Sequence, residues 1–162
     1  MYLSWKFNNE AKDISLEEFE RENEFIFGFI MLKLGDYQLG YIAASSPYDE
    51  GDENISSYVI SLIKCGIVLY LGQEFKIQLL SSNLLDLQAK SNGTNLYIKV
   101  VHKESGEVEY SYEILFKDLI EEIKDNYHKY IGDIQKMNSD LLESRIVKLT
   151  NKYYEILMKL LH

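Results

Sequence analysis

Asn92 and Gly93 stand between two stretches that alternate apolar and polar residues, and that combination constrains the fold more tightly than any other feature of the chain. Both residues tolerate the positive φ of a type I′ turn, so they can reverse a strand within two residues. Leu85, Leu87 and Ala89 before the turn, and Leu96, Ile98 and Val100 after it, give each strand one buried face. Ser105 and Gly106 join the next pair in a similar way. Strands are therefore predicted over 74–80, 84–90, 95–102 and 107–115.

Upstream, 2–7 is a short apolar-rich start, and 8–23 is polar and acidic with a helical turn around 16–19. Residues 24–34 form a β-rich run, Gly35 and Asp36 break it, and 37–43 follows with period-2 character, which predicts a hairpin. The near-continuous apolarity of 25–32 predicts a central strand covered on both faces. Gly28 and Gly40, each flanked by aromatics, predict a bulge or a close backbone approach. Residues 44–52 are a loop with the only proline.

Ile55, Val59, Leu62, Ile63, Gly66 and Leu69 then recur at helical spacing, with Asp52 or Asn54 as cap, Glu53 in the first turn and Gly72 at the C-terminal stop. Two more stripes follow. Phe116, Leu119, Ile120, Ile123, Tyr127 and Tyr130 form one; Leu142, Ile146, Leu149, Tyr153, Ile156, Leu157 and Leu160 form the other, capped by Ser139 or Asp140. The expectation is one α+β domain over 1–162: an antiparallel sheet of about six strands, one inserted helix and two C-terminal helices.

The charge is unevenly placed. Residues 1–53 carry twelve acidic and four basic side chains, so −8 of the net −9 lies there. The acids come as Asp13, Glu17, Glu18, Glu20, Glu22 and Glu24, then Asp49, Glu50, Asp52 and Glu53. Such a surface repels phosphate backbones and anionic lipids, which argues against direct nucleic-acid or membrane binding. Only two arginines, Arg21 and Arg145, are present for bidentate grip on phosphate. The single cysteine, Cys65, and an N-terminus without a basic region before an apolar core point to the cytoplasm.

Chemistry-bearing patterns are sparse. His102, His128 and His162 have no ligand partner at metal-binding spacing, and His102 is expected to be a solvated strand end. Cys65 is expected to be a packed thiol. The glycines form no phosphate-binding signature, and 49–53 lacks the alternate oxygens of a calcium loop. No cofactor or metal is expected. The acidic bursts with nearby aromatics remain, and Asp49, Glu50, Asp52, Glu53, Tyr41 and Tyr48 are the candidate partner-binding residues: Tyr supplies contact area and carboxylates steer a basic partner. The competing expectation is an ordinary solvated surface.

Phe27, Gly28, Phe29 and Ile30 leading to Gly40 and Tyr41, the helix over 55–71, and the run from Gly93 to Val100 before an acidic strand–helix junction together resemble the small acidic α+β immunity proteins of bacterial polymorphic-toxin and contact-dependent inhibition systems. The resemblance implies a protein that is not an enzyme and that binds a cognate toxin, often a basic nuclease domain. A scaffold that self-associates as a homodimer through 139–162 is the alternative. A small carboxylate or tyrosine enzyme is the third reading, and no spacing favours it.

Overall fold

Among the described residues, two antiparallel sheets of four strands each stand where the alternation predicts one sheet of about six strands. The protein is seen in a computed structural model that describes residues 2–8, 10–22, 24–40, 53–78 and 85–162. In the first sheet β1 (Tyr2–Phe7) pairs with β2 (Phe27–Leu34), which also pairs with β3 (Tyr37–Gly40) and the two-residue β4 (Glu53–Asn54). The helix α1 (Leu16–Glu22) lies in the connection between β1 and β2. The second sheet is a meander of β5 (Phe75–Gln78), β6 (Leu85–Asn92), β7 (Asn95–His102) and β8 (Val108–Leu115). Between the sheets in sequence comes α2 (Ile55–Tyr70), and after them α3 (Phe116–Met137) and α4 (Arg145–Leu161). Alternation shows that a strand buries one face, but does not say which strand it pairs with. Here both sheets bury that face in a core that they share with α2.

Local chemistry accounts for most boundaries. The Asn54 side chain accepts from the Ser57 N–H at 2.9 Å and caps α2. At its other end Gly72, with φ +71°, lets its own N–H reach Leu69 O and that of Gln73 reach Val68 O, a Schellman ending. In the β6–β7 hairpin the ladder runs to Asn92 opposite Asn95, so Gly93 and Thr94 form the turn, one residue later than expected. Gly93 alone of the two has positive φ, the pattern of a II′ turn. Ser139 and Asp140 belong to a short 3-10 helix (Ser139–Glu143) and do not cap the last helix. That role falls to Ser144, because the chain must turn once more before α4 can lie along α2.

β2 is central, as its apolarity predicts, but it is not buried on both faces. Ile30, Leu32 and Leu34 are buried, while Phe27, Phe29 and Met31 on the other face are half-buried and Lys33 is exposed. At Gly28 the prediction of close approach holds. An added Cβ would collide with the Lys6 carbonyl and lie 2.8 Å from Phe7 Cα and Ile55 Cδ1.

Polar bonds join the first sheet to the helices. The Ile26 N–H donates to Ser56 Oγ at 3.0 Å, and Ser56 Oγ lies 2.8 Å from the Tyr130 hydroxyl, which is fully buried. The Leu3 N–H donates to Glu122 Oε1 at 3.0 Å. Lys129 Nζ sits 3.9 Å above the ring of Trp5. Each buried Leu, Ile or Val around this network contributes about 1.5–3 kcal/mol relative to exposure, so packing sets the stability and the polar bonds set the arrangement.

Candidate functional site

The first acidic burst lies on and beside α1, and the geometry divides its carboxylates by task. Phe19, 1% exposed, anchors the helix in the core, and Ser15 Oγ accepts from the Glu18 N–H at 3.2 Å. The Asn138 amide donates to the carbonyls of Ala11 and Ile14 at 3.1 and 2.9 Å, tying down the approach to α1. At the far end Glu20 accepts from the Arg145 backbone N–H at 2.9 Å, and the Arg145 guanidinium reaches Glu20 and Glu24. Glu20 and Glu24 therefore hold α1 against the start of α4. Asp13, Glu17 and Glu18 are exposed and make no ion pair among the described residues. A helix secured at both ends presents them at low entropy cost.

Of the expected partner-binding residues, Glu53 is half-buried in β4, opposite Gly28, and not in the first turn of α2 as expected, because Asn54 caps the helix and Glu53 pairs with β2 before it. Tyr41, Tyr48, Asp49, Glu50 and Asp52 lie outside the described residues, as does Asp52 in its role as possible helix cap.

A second cluster was not foreseen. The Tyr37 hydroxyl donates to Glu109 Oε1 at 2.6 Å, and Glu109 Oε2 lies 3.1 Å from His102 Nε2. The Tyr37 ring stacks on Tyr110 with centroids 5.0 Å apart and planes 14° from parallel. Loss of water around Tyr37 pushes its ionisation well above the usual tyrosine range, and the bond to Glu109 and that group's charge push the same way. Tyr37 therefore stays a neutral donor, and Glu109 is shared between the β2–β3 hairpin and His102 at the end of β7. His102 is solvated, as expected, but partnered. The separation of 72 positions between Tyr37 and Glu109 hides this contact from any local pattern.

Two other features fit structural roles. Burial pushes the Cys65 thiol up to about 12, which leaves almost no thiolate at neutral pH. Beside it is an apolar cavity of about 50 Å³ lined by Ile30, Leu62, Cys65, Phe75, Leu87 and Ile98 among others. A dry cavity that holds benzene is about 150 Å³, so this one is too small for a ring-sized ligand. Among the described residues no group of three or more His, Cys, Asp or Glu could hold a metal ion, and no helix is long and apolar enough to cross a membrane. No known protein family, curated protein or solved structure matches the chain.

Proposed function

We propose that this chain is a non-enzymatic, cytoplasmic binding protein of the immunity type, which neutralises a basic, nuclease-like toxin domain by forming a stoichiometric complex with it. The observation that carries the reading is the split among the α1 carboxylates. Glu20 and Glu24 hold the helix, and Asp13, Glu17 and Glu18 are left exposed with no ion pair among the described residues. Fixed negative charge on an anchored helix steers a basic partner and stands in for the phosphates that such a toxin would otherwise grip. The acids at Asp49, Glu50, Asp52 and Glu53 extend the same charge along the chain, and Tyr41 and Tyr48 beside them add contact area.

The test is co-expression with any toxic domain found encoded beside this gene. Growth should be restored by the parent chain, and association measured by stopped flow should slow as salt rises. Asp13→Asn, Glu17→Gln and Glu18→Gln together should cut the on-rate by roughly tenfold while leaving the fold intact. Growth arrest despite folded, abundant protein would refute the reading.

A further inference from the structure

The helix α4 carries two stripes: one is fully buried, and the other is buried at Ile146, rests on the core at Tyr153 and comes to the surface between them and beyond. Val147, Thr150 and Leu157 are fully buried, on a helix that lies along α2. Ile146, Leu149, Tyr153, Ile156 and Leu160 recur at alternating three- and four-residue steps, which draws a seam of the coiled-coil kind along the helix. The seam dips into the core at Ile146 and emerges at Leu149 and Ile156, which are 41% and 38% exposed. One large exposed apolar residue is ordinary, but two at seven-residue spacing on one seam form a surface.

The charge beside this seam has one sign. Arg145, Lys152 and Lys159 follow one another at seven-residue intervals along its outer flank. Arg145 is engaged by Glu20 and Glu24, whereas Lys152 and Lys159 are exposed and make no ion pair among the described residues. On the inner flank, Thr150 and Leu157 face the protein's own core, and Lys64 of α2 lies 4.6 Å from the centre of the Tyr153 ring. Glu155, the one acid between Lys152 and Lys159, lies a further step round the helix from the seam.

We infer that this face docks an acidic amphipathic helix of another protein, with apolar residues at three- and four-residue spacing laid on Leu149, Tyr153 and Ile156 and carboxylates along the edge that meets Lys152 and Lys159. The charge decides between this occupant and a second copy. Antiparallel pairing of two α4 seams sets the flank of each against the same flank of the other, so Lys152 and Lys159 face like charges. An acidic helix replaces that repulsion with attraction, in the helix-in-groove manner of recognition. The inference stands apart from the toxin reading, because a basic toxin would meet the acidic first third and this seam accepts the opposite charge.

The test uses the full chain and a fluorescein-labelled peptide of about three heptads with Leu at the seam positions and Glu along both flanks, beside a matched peptide with Lys along the flanks. Anisotropy should show micromolar binding of the acidic peptide alone. Binding should weaken by roughly tenfold or more in the Lys152→Glu/Lys159→Glu double variant, and fall as salt rises. Ile156→Ser should weaken it through the apolar contact. Circular dichroism and Trp5 fluorescence matching the parent confirm that these surface variants are folded. Equal binding of the two peptides, or none at ~200 μM, overturns the inference, as does a sedimentation dimer that Ile156→Ser abolishes.

Discussion

The two sheets have the same number of strands but are held together differently. The second is a meander whose neighbours in space are neighbours in sequence, joined by turns such as Gly93 and Thr94. The first takes strands separated by α1 and by 41–52, and its central strand β2 must meet β1, β3 and β4 at once. Two of its ties come from outside: Ser56 and Tyr130 fix the entry to β2, and Glu122 fixes β1; within it, Gly28 is pressed against the Lys6 carbonyl. Pairing between sequence neighbours orders the second sheet, whereas the first also takes polar bonds from side chains of α2 and α3. The Tyr37–Glu109–His102 cluster, with the Tyr37–Tyr110 stack beside it, joins the edge of the first sheet to that of the second.

The strongest way to break this comparison is Gly28→Ala. The new Cβ has backbone on two sides and cannot be accommodated by rotating a side chain, so a loss of about 3–5 kcal/mol is expected. Urea unfolding followed by Trp5 fluorescence would measure it, since Trp5 lies in β1 opposite Ile30. A loss under 1 kcal/mol would mean that the sheets are held alike. Tyr130→Phe leaves the packing but deprives Ser56 of a buried partner, with an expected cost of about 1–3 kcal/mol by the same assay. Gly93→Ala is the matching change in the meander. It meets no neighbouring atom and suffers only from the positive φ, so about 1 kcal/mol is expected.

The remaining two predictions concern ionisation. Glu109→Gln removes the carboxylate that disfavours tyrosinate at Tyr37, so the last tyrosine to ionise near the surface should do so at lower pH, read by ultraviolet absorbance at alkaline pH. An unchanged titration would remove the cluster as a link between the sheets. Cys65 ionises at about 12 in the fold, above the ordinary thiol range. Because the folded value is the raised one, the stability linked to the neutral thiol is complete below the ordinary thiol pKa and is lost as pH climbs toward 12. Cys65→Ala should flatten that decline in thermal melts between pH 8.5 and pH 11, the smallest effect of the series.

Most elements of the fold were legible, but their assembly was not. The four strands of the meander, the cap of α2 by Asn54 and its stop at Gly72 all follow from nearest-neighbour chemistry. The turn at Gly93 and Thr94 differs from the expected Asn92 and Gly93 because a single glycine satisfies a II′ turn, and Asn92 is then free to stay in the ladder. On the candidate surface, the charge bursts were plain, but their division was hidden. Only the docking of α1 on α4 separates Glu20 and Glu24, which hold the helix, from Glu17 and Glu18, which face solvent. The stripe on the last helix likewise appeared as one face, and packing split it into buried Ile146 and Leu157 and exposed Leu149 and Ile156.

By itself the sequence determined the class of the fold, the positions of its long helices and of every strand but the short β4, and a charge concentrated in residues 1–53. These depend on turn residues, periodicity and composition, all of which act over a few positions. Tertiary structure decided that there are two sheets and not one, that Tyr37, Glu109 and His102 meet, and which carboxylates and which apolar residues of α4 remain at the surface. Those outcomes depend on contacts between residues far apart in the chain, and a helix or strand has several faces that its own periodicity leaves equivalent until a neighbour covers one.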